Sequence, residues 1–166
     1  NFGTMTKPLH AGLAARTGIV SARLVQDGFT AGTGALEGRF GFLRAFSGGD
    51  GYDETAVLRR LGRGSYLQRD GVVIKKYPCC GSAHLAVDAV LDLMGTRRLD
   101  PNCVESVDVC VDFDPPRSLV HHRPKTPMEA KFSMEYCVAA ALLDGRIDLD
   151  TFEGAQVMRP EAQELL

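Results

Sequence analysis

Tryptophan is absent, no apolar run approaches the ~20 residues that span a bilayer, and neither sign of charge dominates. With 19 Lys plus Arg against 21 Asp plus Glu the formal charge is −2, so no global basic field exists to hold nucleic acid or a membrane surface. Any anion must therefore be bound locally. The start of the chain lacks the charged, apolar and small-residue succession of a secretory leader, which makes the cytoplasm the expected location. Cysteine is sparse and odd in number. Five thiols, two of them adjacent at Cys79 and Cys80, do not form the framework of a stapled secreted domain, and reduced cysteines are expected. The repeated C-x-x-C pairs of a zinc site are missing too, so neither a metal nor another cofactor is expected. Gly32-Thr33-Gly34-Ala35-Leu36-Glu37-Gly38 has neither the spacing nor the preceding strand of a dinucleotide loop, and reads as a connection between helices.

What is present is ordinary globular composition, 45% hydrophobic and 24% charged. From Lys7 to Phe46 the pattern predicts short helices separated by glycines. Pro8 suits a first helical turn, Gly18 ends that helix, Ile19 to Gln26 continues, and Leu36 to Ala45 and Asp53 to Leu61 follow. Gly62-Arg63-Gly64-Ser65 reads as a boundary, and beyond it the period changes. Asp70-Gly71 between Tyr66-Leu67 and Val72-Val73-Ile74 predicts a hairpin. Val107, Val109, Val111 and Phe113 alternate with polar residues as in a half-buried strand. Helices are expected around Ala83 to Met94 and from about Met128 to Leu143, the latter capped by Gly145. The expected fold class is α+β, with residues 1–64 part of a large helical domain and 65–166 a smaller α+β lid domain, incomplete at its C-terminus. Asn1 opens inside a loop entering a helix and Pro160 to Leu166 read as a helix just beginning, so an internal piece of a longer protein is expected.

Two cationic clusters carry the functional signal. If Lys7 opens a helix, His10 shares its face, and ammonium and imidazole flank a helix start suited to a carboxylate; the alternative is a solvated Lys beside a locally packed His. In Lys75-Lys76-Tyr77-Pro78-Cys79-Cys80-Gly81-Ser82-Ala83-His84, strand alternation puts Lys75 and Tyr77 on one face, leaving one lysine for a pocket and one for water. A solvated strand end is the competing reading. Asp88, four residues after His84, is placed to pair with its imidazole, either to tune it or simply as a structural pair. Cys80 could act as a nucleophile, although a half-buried structural thiol is the simpler assignment. His121-His122-Arg123-Pro124-Lys125 forms a basic loop.

Gly3-Thr4-Met5-Thr6-Lys7-Pro8-Leu9-His10-Ala11-Gly12, then Lys75 through His84 with Leu85-Ala86-Val87-Asp88-Ala89, then Pro127 through Tyr136 with Ala141-Leu142-Leu143-Asp144-Gly145, resemble in the same order the MmgE/PrpD family of 2-methylcitrate dehydratase. The resemblance implies a metal-independent lyase or isomerase for small di- or tricarboxylates, cytoplasmic and homodimeric, working in propionate metabolism, with its active site in a cleft between two domains. It implies that Lys7, His10, Lys75 and Tyr136 are catalytic, and that Thr6, Lys7, Lys75, Cys80 and His84 contact substrate. Cis-aconitate decarboxylases of this family carry a histidine near the position of Cys80, so Tyr77-Pro78-Cys79-Cys80-Gly81 points instead to the dehydratase-like branch. The family's other acid-base groups, an aspartate and a histidine, lie upstream of Asn1, and the isolated chain is expected to be inactive. Related decarboxylation or epimerisation (cis-aconitate, iminodisuccinate), and a non-catalytic carboxylate-binding or assembly module, are the alternatives.

Overall fold

In the computed structural model, residues 2–48, 51–53, 55–56, 59, 62–97, 99–111 and 117–166 are described, with the backbone alone at position 66. The first helix, α1, runs unbroken from Thr6–Gln26. Pro8 sits in its first turn, where a missing N–H leaves no bond unmade. The expected break at Gly18 does not occur: an interior glycine weakens a helix by roughly 0.5–1 kcal/mol without ending it. The end comes at Gly28, whose φ of 88° lets its N–H reach the Val25 carbonyl at 3.0 Å while the Phe29 N–H reaches Leu24 at 2.9 Å.

The helix expected from Leu36 starts six residues later, as α2 (Phe42–Ser47). The delay has a steric origin. A Cβ at Gly38 would stand 2.4 Å from the Gly34 carbonyl oxygen, and one at Gly41 would stand 2.6 Å from that of Leu36, so these glycines fold into consecutive turns first. The segment does join two helices, as expected. The helix expected at Asp53 to Leu61 falls largely outside the described residues.

The expected fold class is corrected by the next stretch. Tyr66–Asp70 is a short helix, α3, not a strand. The Ser65 side chain accepts from the Gln68 N–H while the Gln68 side chain accepts from the Ser65 N–H at 3.2 Å, a reciprocal cap. Gly71, with φ 72°, ends this helix and makes no hairpin turn. Val73 and Ile74 are 92% and 89% exposed. Residues 104–111 form no ladder, Val107, Val109 and Val111 are exposed where a half-buried strand was expected, and Asp112 and Phe113 lie outside the described residues. No strand occurs among the described residues, so the α+β assignment gives way to a helical one. Alternation records which side chains face a protein surface; a strand also needs a neighbouring backbone to take its N–H and C=O groups.

The chain divides into two compact units, Asn1–Leu13 with Lys75–Leu166, and Ala14–Ile74. In the first, α4 (His84–Arg97) packs on α6 (Met134–Asp144), and α6 on α8 (Pro160–Glu164). The helix expected over 128–143 is two: α5 (Pro127–Ala130) stops, and Ser133 caps α6 by accepting from the Tyr136 N–H at 3.1 Å. Every residue from Tyr136 to Leu142 is buried, so α6 forms the axis of this unit; Gly145 caps it as predicted. Around it lie Tyr77, Cys79, Val87, Phe152 and Val157, the last in α7 (Gly154–Val157). Each fully buried valine contributes about 1.5–3 kcal/mol of apolar transfer.

Candidate functional site

All the residues singled out from the sequence fall in the first unit. Phe2 and Gly3 attach the start of α1 to the 121–132 segment. The Phe2 ring lies 5.4 Å from that of Phe132, and the Phe2 carbonyl is 3.0 Å from His121 Nε2. Gly3 is buried at φ 75°, and a Cβ there would come within 2.2 Å of His121 Nε2. Only glycine fits. Lys7 Nζ is thereby held 4.7 Å from the Phe132 ring centre and 5.2 Å from that of Phe2, on a side chain that stays exposed. Thr6 is half-buried, and His10 is exposed on the same helix.

The second cluster is a turn with tight anchors. Lys75 Nζ donates to the Cys79 carbonyl at 2.6 Å, and the Cys80 N–H donates to the Lys131 carbonyl at 2.9 Å. Lys75 and Tyr77 do not share a destination as strand alternation required. Tyr77 joins Lys76 instead, both donating to Asp88 Oδ1 at 2.5 Å. Lys76 and then Tyr77 hold the Asp88 carboxyl below its ordinary value. Asp88 is therefore taken by the turn and not by His84, which stands edge-on to Tyr77 with ring centres 5.3 Å apart. His84 Nε2 is buried with no hydrogen-bond partner among the described residues.

Cys80 is half-buried with its sulfur 3.2 Å from Ser118 Oγ. Burial raises its pKa, but hydrogen bonds from Ser118 and Ser82 and the nearby Lys75 outweigh that and bring the thiol below its ordinary value. Tyr136 is fully buried, its hydroxyl donating to the Thr151 carbonyl at 2.5 Å, and burial pushes its pKa up to about 12.

Lys7 lies over Phe132, and Lys75 bonds to the Cys79–Cys80 turn, whose Cys80 N–H is bonded to Lys131. Neither Lys7 nor Lys75 pairs with a carboxylate among the described residues. Such cations attract an anion without first having to leave a carboxylate. Sequence reasoning missed Lys131 and the fit of Gly3 against His121; Gly3 itself carried the signal, as a glycine beside a run of chemistry-bearing residues. Grooves of about 380 and 720 Å³ flank residues 104–111; alongside valines and parts of α4 and α6, Glu105, Glu135 and Glu164 line the first and Asp108 the second, and neither has a lysine. No group of three His, Cys, Asp or Glu side chains able to hold a metal occurs among the described residues, and no helix among them is long and apolar enough to cross a membrane.

The profile of the MmgE/PrpD C-terminal domain matches residues 77–166, and that of the MmgE/PrpD N-terminal domain matches residues 1–55. Over 179 residues the chain is 30% identical to cis-aconitate decarboxylase of Aspergillus terreus, a match covering 99% of this chain and 36% of that protein. It is also 30% identical to the cis-aconitate decarboxylases of Homo sapiens and Mus musculus, in each case over 100% of this chain and 34% of the relative. The chain spans about a third of the length of these curated relatives.

Proposed function

We propose, from the premise that the chain belongs to the MmgE/PrpD family, that the protein containing it is a lyase acting on a small tricarboxylate. Cis-aconitate decarboxylation is the reaction its relatives favour. The observation that supports this reading is the pair of lysines, Lys7 over Phe132 and Lys75 on the turn bonded to Lys131, both free of carboxylate partners among the described residues. In this reading their ammonium groups bind substrate carboxylates. When CO2 leaves, an electron pair remains beside a carboxylate and must be protonated; fixed cations stabilise that developing charge. His10 is assigned to the same carboxylate site and Thr6, Cys80 and His84 to its margin, whereas Tyr136 is assigned to holding α6 through Thr151. Dehydration of a 2-methylcitrate-like acid is the second reading, favoured by the resemblance of Tyr77-Pro78-Cys79-Cys80-Gly81 to the dehydratase-like branch.

Incubating the full-length protein with cis-aconitate, citrate and 2-methylcitrate, with products resolved by chromatography, tests both. Loss of CO2 from cis-aconitate supports the first, and formation of a new double bond from a hydroxy acid the second. Folded protein that turns over none of the three would contradict both.

A further inference from the structure

One residue is bonded to both of the segments whose rings flank Lys7. The backbone N–H of His121 donates to the Phe132 carbonyl at 3.3 Å, and its Nε2 lies 3.0 Å from the Phe2 carbonyl oxygen. The Phe2 and Phe132 rings stand 5.4 Å apart, with Lys7 Nζ 5.2 and 4.7 Å from their centres. His121 thus holds one ring's residue through its main chain and the other's through its imidazole. We propose that His121 is the positioning residue for Lys7, aiming the ammonium group by docking Phe2 and Gly3 against Phe132. The inference rests on the reading in which Lys7 binds a substrate carboxylate.

The geometry defines what the imidazole does. A carbonyl oxygen only accepts, so the nitrogen facing Phe2 carries hydrogen, in the neutral Nε2–H tautomer and in the imidazolium alike. The same ring fills the space that a side chain at position 3 would need, since a Cβ there would stand 2.2 Å from Nε2, 2.8 Å from Cδ2 and 3.0 Å from Cε1. Hydrogen bond and close packing therefore act on adjacent residues, Phe2 and Gly3, just ahead of the helix that carries Lys7. A lysine side chain is costly to order, and two aromatic rings restrict it before a ligand arrives. The neighbouring imidazole is engaged elsewhere, with His122 Nδ1 2.6 Å from Glu135 Oε1. In this role His121 acts through the two rings, not as a catalytic group.

The test uses full-length protein whose lysines are dimethylated with isotope-labelled formaldehyde, which keeps their charge, and the Lys7 resonance is identified by its loss in Lys7→Ala. Ring currents are expected to move that resonance upfield of solvated lysines. His121→Ala should return it toward them, whereas His121→Gln, whose side-chain amide can still donate to the Phe2 carbonyl, should restore part of the shift. His121→Phe keeps a ring against Gly3 but has no donor, and makes the same test where His121→Ala does not fold. Calorimetric titration of cis-aconitate reads the consequence. His121→Ala is expected to weaken binding about fivefold, His121→Gln less, and His121→Ala added to Lys7→Ala no further. A Lys7 resonance that lies with the solvated lysines in the unaltered protein, or that stays in place when the His121 donor is removed, would overturn the proposal. So would a loss of affinity in His121→Ala that is equally large once Lys7 is alanine. A resonance that follows His121 while Lys7→Ala leaves cis-aconitate affinity unchanged would support the positioning and contradict the carboxylate role of Lys7, which tells the two apart.

Discussion

At position 3 a single methyl group decides whether the start of α1 can dock. Gly3→Ala combines a left-handed backbone with a Cβ 2.2 Å from His121 Nε2. The conformational term alone is about 1–2 kcal/mol, and His121 must also move away from the Phe2 carbonyl. Chemical denaturation is expected to show at least that loss, with faster amide exchange over residues 4–9; an unchanged midpoint would mean that the segment does not depend on this contact. Tyr136 provides the second residue-scale test. The fold favours its neutral phenol, with a pKa pushed up to about 12. That stability is fully present below the ordinary tyrosine value of about 10 and is lost as pH rises toward the folded value. Tyr136→Phe leaves the Thr151 carbonyl buried without its donor, at a cost of about 1–3 kcal/mol near neutrality. Melting temperatures measured across the alkaline range should fall less steeply for Tyr136→Phe than for the unaltered protein.

Among the elements, the 75–80 turn is held by side chains where a sheet was expected to hold it. Asp88→Asn removes the charge that accepts from both Lys76 and Tyr77. Because the Asp88 pKa is depressed, its contribution is present above the ordinary carboxylate value of about 4 and is lost as pH falls through the lower folded value. Hydrogen exchange at the Cys80 amide is expected to accelerate in Asp88→Asn, and in the unaltered protein only at acid pH. Equal protection in both would remove Asp88 from this role. The helix ends were legible in the sequence where glycine or proline marked them, at Pro8, Gly28 and Gly145. The interior Gly18 misled because glycine signals an end only where a left-handed residue is needed. Asp70-Gly71 misled in the opposite way, since Ser65 and Gln68 form a capping box that pairs it with a helix. The valine alternation at 107–111 misled, since the partner backbone of a strand is not written in it and these valines stay exposed. Of the candidate site, the charged residues were legible by type, whereas the partners that orient them, Phe132 under Lys7 and the Lys131 carbonyl at Cys80, are contacts across more than fifty residues of sequence.

For the whole molecule, a near-neutral balance of charge leaves anion recognition to a few placed cations, and Lys7 and Lys75 are the pair to which the proposed chemistry is assigned. The chain spans about a third of the length of its curated relatives, so the proposed activity is to be tested on the full-length protein. The decisive measurement is calorimetric titration of cis-aconitate into full-length protein carrying Lys7→Ala, Lys75→Ala or both. A lost charge-assisted contact corresponds to about 1.5–3 kcal/mol, so each single change is expected to weaken binding by roughly tenfold or more, and the double change further. Affinity unaltered by either substitution, in protein that melts normally, would contradict a carboxylate site built on these two lysines.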